Sequence, residues 1–348
     1  MKKLILSASV FLGTSAHAFN VGFNQGWFFD RYAHQWSDAS YDASEARRVL
    51  DLARDAGAKT LRMWLFEGPS STSLIWKQGM VSGLSLEFVK NFEDFMRAAK
   101  QRNVQIYLTL FDGNMLRSLK TEEEKARWWN LLNNKNGGRA AFERNALAPL
   151  LAMLYRSDMR SSVFGLDVGN EIDAAVAGSR FDNSWQGANA FTCGIRDFVR
   201  SRRGGARAIP VTASIGWPAI PFYTRGAATL ILEPNPHESC VDFWDIHFYS
   251  DRGTIDNCEK IGELSRRYGK KVYLGEFGQR SKSFSDEVQL GATQKFLQNA
   301  KACGFAGALA WRLTDHRPGH NDEARFSFEA HNRTRPAYEY VKRWNAAH

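Results

Sequence analysis

Two glutamates separated by about a hundred residues, Glu171 and Glu276, are the groups in this chain best suited to bond-breaking chemistry. A pair of carboxyl groups on either side of an acetal can cleave it. One delivers a proton to the leaving oxygen, and the other, ionised, attacks or supports the carbon left behind. The pair needs unequal surroundings, because neighbouring carboxylates repel and one pKa rises as the other falls. Arg62 and Tyr249 are expected beside Glu276, the first by charge and the second by a hydrogen bond. Glu276 is therefore read as the nucleophile. Glu171 has no expected cationic neighbour and is read as the acid, then the base. Asn24, Trp27, Trp64, Asp112, Asn170, His247 and Trp311 fall at similar points of the sequence pattern and complete a candidate substrate site.

Those residues recur at the ends of short apolar runs, and the runs alternate with helical patterns. Eight such units are legible. The strands are expected at 20–24, 60–65, 104–110, 163–168, 209–215, 243–248, 271–274 and 307–311. The helices are expected at 43–56, from Ser85, at 138–155, 185–203, 221–230 (weakly), 255–268, 286–303 and 336–345. A short extra helix is expected near 122–132, inside an insertion that follows the third strand. Asp42 with Glu45, and Ser85, are N-terminal caps. Phe88, Val89, Phe92, Phe95, Met96 and Ala99 share one helical face. Eight units of this kind predict an α/β fold, a (β/α)8 TIM barrel in a single domain over residues 19–348. An open doubly wound sheet is the competing architecture; no glycine-rich phosphate turn follows an early strand. In a barrel the active site lies at the carboxyl ends of the strands, where these residues fall.

Taken in order, these strings resemble the clan A glycoside hydrolases, family 5 in particular. Gly169-Asn170-Glu171 is similar to the clan's acid/base motif, and Leu274-Gly275-Glu276-Phe277-Gly278 to its nucleophile strand. His247-Phe248-Tyr249, Arg62, Trp311 and the opening Gly22-Phe23-Asn24-Gln25-Gly26-Trp27 also match. The resemblance implies a retaining endo-β-glycosidase. Asn170 would bond the sugar 2-hydroxyl, His247 would order the acid/base side, and Trp311 would form the floor. Family 5 cellulases often carry a histidine at the end of the third strand. Here Leu108-Thr109-Leu110-Phe111-Asp112, with Arg62-Met63-Trp64-Leu65-Phe66, looks more like the β-mannanase branch. An exopolysaccharide hydrolase of family 39 type shares the same frame, and a non-catalytic glycan-binding barrel keeps the aromatics.

Lys2 and Lys3, the apolar run 4–12 and Ala16-His17-Ala18 read as a cleaved export signal over residues 1–18. The mature chain is expected in the periplasm or medium, as a monomer, without membrane insertion. The formal net charge is +9, or +7 without Lys2 and Lys3, but no basic block with interleaved aromatics suggests nucleic acid. The expected partner is a polysaccharide or oligosaccharide. No cofactor or metal is called for. Asp315, His316, His320, Asp322 and Glu323 share one loop at no standard metal spacing, and a metal-dependent barrel hydrolase remains an alternative. Cys193, Cys240, Cys258 and Cys303 allow three full pairings, or remain as buried thiols. Trp27, Phe28, Phe29, Tyr32 and Trp36 can stack on sugars or pack a loop. Trp76, Trp128, Trp129, Trp185 and Trp217 fall on the same side, and adjacent Trp128 and Trp129 cannot both face one way. Inserts after strands two, three and eight can wall an open groove for endo attack or close a pocket for exo attack.

Overall fold

A computed structural model describes residues 19–28, 32, 34–182, 184–216, 240–279, 285–314, 326–330 and 332–348. The expected export signal, Phe29, Trp217, the helix expected at 221–230 and Asp315, His316, His320, Asp322 and Glu323 lie outside them.

Eight parallel strands make the barrel: β1 (Asn20–Asn24), β2 (Thr60–Trp64), β3 (Gln105–Thr109), β4 (Val163–Asp167), β5 (Val211–Thr212), β6 (Trp244–Tyr249), β7 (Val272–Gly278) and β8 (Gly307–Trp311). Their hydrogen-bonded order is β5-β4-β3-β2-β1-β8-β7-β6. A parallel bridge between Ile215 and Ile246 joins the two outer strands, so the sheet closes on itself as the alternation of elements demands. The strands are buried almost throughout, because side chains of one face fill the barrel and those of the other meet helices.

The helices begin where their caps stand. Asp42 accepts from the amides of Ser44 and Glu45 ahead of helix Ala43–Asp55. Ser85 accepts from Phe88 N ahead of Leu86–Gln101, and Ser285 from Val288 N ahead of Asp286–Ala302. Thr121 and Glu124 form a full capping box for Glu122–Leu132. The apolar face of Leu86–Gln101 is buried as patterned, and Phe92 and Phe95 meet Trp36 with ring centroids at 5.3 and 5.6 Å. That contact ties the loop after β1 to the barrel wall.

Several features depart from the expected elements, among them β5, which is Val211–Thr212 where 209–215 is expected. An antiparallel hairpin, Leu74–Lys77 with Met80–Leu84, fills the insert after β2. Short helices Gly113–Arg117 and Ile172–Ala177 follow β3 and β4 and pack against each other. Strand β7 continues to Gly278, four residues past its expected end, so Glu276 lies within a strand, paired with His247. Its glycines hid this extension, since Gly lowers strand propensity. Gly275 is required there: a Cβ on it would fall 1.5 Å from Asp245 Oδ1.

Cys193 pairs with Cys240 and Cys258 with Cys303. This selects one of the three pairings and excludes the free-thiol alternative.

Candidate active site

At the carboxyl mouth of the barrel, Arg62 organises the site from below. It is fully buried in the second strand. Nη1 donates to Glu276 Oε1 at 2.6 Å and Asn24 Oδ1 at 3.0 Å. Nη2 donates to Asp167 Oδ2 at 2.8 Å and Asn170 Oδ1 at 2.9 Å. A planar fork with several donors can hold four groups at once, as a lysine could not. Tyr249, at the end of β6, donates to the other Glu276 oxygen at 2.6 Å. Both oxygens of Glu276 are therefore fixed.

Glu171 follows β4 in a left-handed conformation, φ +47°. For a residue with a Cβ this costs about 1–2 kcal/mol. Ser214 supports the turn: its hydroxyl accepts from Glu171 N at 3.1 Å and donates to Asp167 Oδ2 at 2.9 Å. The turn aims the Glu171 carboxyl across the mouth, where Asn114 Nδ2 donates to Oε2 at 2.7 Å and His247 Nδ1 lies 3.2 Å from Oε1. His247 Nδ1 also lies 3.5 Å from Glu276 Oε2, and its Nε2 is 3.4 Å from Asp245 Oδ1. One oxygen each of Glu171 and Glu276 and one ring nitrogen of His247 are all within 4.8 Å of one another.

The charges follow from these contacts. Burial alone would discharge His247, but Glu276, Asp245 and Glu171 surround it and lift its pKa to about 10. Burial raises the Glu171 carboxyl, and the hydrogen bond and charge of His247 more than cancel this, leaving it below the ordinary carboxylate range. Burial raises Glu276 above that range against the pull of His247, Arg62 and Tyr249, and the charge of Glu171 adds to the rise. These directions correct the expectation that Glu171 lacks a cationic neighbour and so keeps its proton. His247 is that neighbour. A cation held by Glu171, His247 and Glu276 would have to displace the His247 proton and compete with the Tyr249 hydroxyl for Glu276 Oε2.

Trp27, Trp64, Trp311 and Phe326 form one aromatic cluster, with Tyr32 and Tyr249 against it. It walls a cavity of about 400 Å³ whose lining also includes Asp112, Asn170, Glu171 and Glu276. Asn24 and Arg62 lie beneath this cavity rather than on it. Asn24 Nδ2 is taken by the carbonyls of Gly275 and Leu309, and Asn24 positions Arg62 instead of meeting a ligand, contrary to the expected substrate contact. His247 is likewise fully buried. Asp112 accepts from Tyr32 at 2.5 Å and from Asn170 Nδ2 at 3.1 Å, which fixes the Asn170 amide between Asp112 and Arg62. Of the aromatics after β1, Trp27 and Tyr32 reach the cavity, whereas Phe28 and Trp36 are core. Trp128 is buried against Trp76, with centroids at 5.4 Å, and packs the hairpin down.

No family model matches the chain. A curated relative, the mannan endo-1,4-beta-mannosidase of Mytilus edulis, is 26% identical over 327 residues, spanning 86% of this chain and 84% of the relative. The chain is a glycoside hydrolase similar to this mannosidase. Solved structures agree on the fold of this hydrolase. The beta-1,4-D-mannanase of Cryptopygus antarcticus superposes with TM-score 0.67 at 17% identity, covering 95% of this chain and 90% of the other. The beta-mannanase of the blue mussel Mytilus edulis gives TM-score 0.67 at 19% identity, covering 94% and 92%. A GH5_18 enzyme of Streptomyces cattleya in complex with Manb1-4GlcNAc gives TM-score 0.62 at 14% identity, covering 94% and 80%. The hydrolase thus places Glu171 and Glu276 together with Arg62, Asn170, His247, Tyr249, Trp27, Trp64, Asp112 and Trp311. Sequence reasoning missed Asn114, Ser214, Asp167 and Asp245. Each acts across strands, and nothing local in the sequence marks it.

Proposed function

We propose that this hydrolase cleaves β-1,4-linked mannan-like chains internally, with retention of configuration, by double displacement. Glu276 is the nucleophile and Glu171 the acid/base. What carries this reading is the separation of the two carboxyl groups, with oxygens within 4.8 Å. Retaining glycosidases hold theirs about 5–5.5 Å apart, whereas inverting ones leave roughly 6.5–9.5 Å for a water.

The roles follow from the surroundings. Glu276 has both oxygens fixed and its side chain is 4% exposed. That suits a group that must meet one carbon along one line. Glu171 is 22% exposed on the cavity side and touches His247, so it can trade protons with the imidazole and with water. In the first step a Glu276 oxygen bonds to the anomeric carbon as the bond to the glycosidic oxygen breaks. The proton shared by Glu171 and His247 goes to that oxygen, through Glu171. In the second step Glu171 takes a proton from water, the water oxygen bonds to the anomeric carbon, and Glu276 leaves. Asn170 keeps one amide hydrogen for the sugar 2-hydroxyl, and the cluster around Trp311 takes the C–H face of the ring. Mannan as substrate is supported by the names of the relatives. Residues 19–348 form the catalytic unit of an exported monomer. Two disulfides among the described residues fit an oxidising compartment.

The test is Glu276→Gln and Glu171→Ala on β-1,4-mannan with product sizing. Each is expected to lower kcat by roughly four orders of magnitude. Azide should restore Glu171→Ala and give a β-glycosyl azide. A folded Glu276→Gln protein with wild-type turnover would remove the mechanism.

A further inference from the structure

Gln279 leaves the end of β7 one residue after Gly278 and three after Glu276. The residue is 2% exposed, and neither Oε1 nor Nε2 of its side chain finds a hydrogen-bond partner among the described residues. It lines the same cavity as Glu171, Glu276 and Trp311. The other buried amide that lines the cavity among the described residues is engaged: Asn170 is held by Arg62 and Asp112. A buried amide left unpaired is destabilising, and folded proteins keep few such groups without a use for them. The neighbours say what the use is. A Cβ on Gly278 would stand 3.1 Å from the Tyr249 ring and 3.3 Å from the Phe326 ring, so bare backbone there lets two aromatic rings close in on the strand next to Gln279, and both rings line the cavity that Gln279 lines. Aromatic faces around a group that both donates and accepts suit a sugar ring with adjacent hydroxyls. A cation or an anion would use only one end of the amide.

We infer that Gln279 is a specificity-determining substrate-binding residue, whose amide takes two vicinal hydroxyls of one pyranose in the catalytic cavity. The inference rests on the reading of this cavity as a glycan site, but not on which glycan. The test compares wild type with Gln279→Leu, which keeps the volume and removes both polar atoms. Both are assayed on whichever of β-mannan, β-glucan and β-xylan oligosaccharides the wild type cleaves fastest, and on monodeoxy forms of that oligosaccharide. Gln279→Leu should melt at the wild-type temperature or above, since an unpaired polar group has been removed. It should lose tenfold to a hundredfold in kcat/KM. Wild type should lose at least fivefold on the deoxy substrate that lacks a recognised hydroxyl, and Gln279→Leu less than twofold. Wild-type kcat/KM in Gln279→Leu overturns the role, as does a melting temperature lower by 5 °C or more, which marks a structural amide. The two readings fail differently. A wild type active on β-glucan but not on β-mannan removes the mannan assignment and leaves Gln279 testable. A wild type that cleaves none of the panel removes both.

Discussion

Tyr249→Phe isolates one contact of the proposed nucleophile. The phenol donates to Glu276 Oε2 at 2.6 Å, and the tyrosine ring, partly buried against Phe326, stays in place when only the hydroxyl is removed. A hydrogen bond to a charged acceptor is worth about 1.5–3 kcal/mol. Each pKa unit corresponds to about 1.4 kcal/mol between the two protonation states. The hydroxyl bonds the ionised form, so its loss should raise the Glu276 pKa further by about one to two units. Glu276 acts as an anion. The acid limb of the kcat/KM profile should therefore move to higher pH by that amount, and kcat/KM near the optimum should fall by roughly tenfold to a hundredfold. The assay is hydrolysis of β-1,4-mannotetraose from pH 4 to 9, with a melting curve at each pH to separate folding from chemistry. An acid limb in its wild-type position, with kcat/KM within twofold, would refute the assignment of Tyr249 as the donor that keeps Glu276 ionised.

Two further predictions concern stability. Replacing Cys258 and Cys303 by serine opens a crosslink between residues 45 apart in sequence. This should cost about 2–4 kcal/mol, read as a lower urea midpoint with unchanged turnover of the folded fraction; an unchanged midpoint contradicts it. Burial, with Asp112 adding to it and Gln35 opposing, lifts the Glu67 carboxyl to about 8. The folded state therefore binds a proton that the unfolded state has released above the ordinary glutamate value. Stability from this group is present at low pH and is lost as pH rises through about 8. Glu67→Gln removes that dependence, so its melting temperature should gain on wild type between pH 5 and 9. A constant difference across that range contradicts the burial argument.

The barrel was legible because its elements are locally specified. Periodicity, caps and strand–helix alternation located β1 and β8 at their observed bounds, and the helix Glu122–Leu132 as well. Strand β7 was read short because Gly275 and Gly278 carry no strand signal of their own. Gly275 is there for Asp245, which belongs to another strand. The hairpin after β2 was missed because part of what holds it is Trp128, distant in sequence, which packs on its Trp76.

Residue identity and order alone determined that two carboxyls, an arginine, a histidine, a tyrosine and several aromatics would gather at strand ends, since strand ends of a closed parallel barrel share one mouth. Tertiary structure alone decided what each of them does there. It turned Asn24 from a ligand contact into a support for Arg62, set His247 between the two carboxyls, and left Gln279 unpaired in the cavity. Protonation and pairing depend on distances of a few ångströms between strands far apart in sequence, and in a buried site of low polarity such distances decide where charge resides.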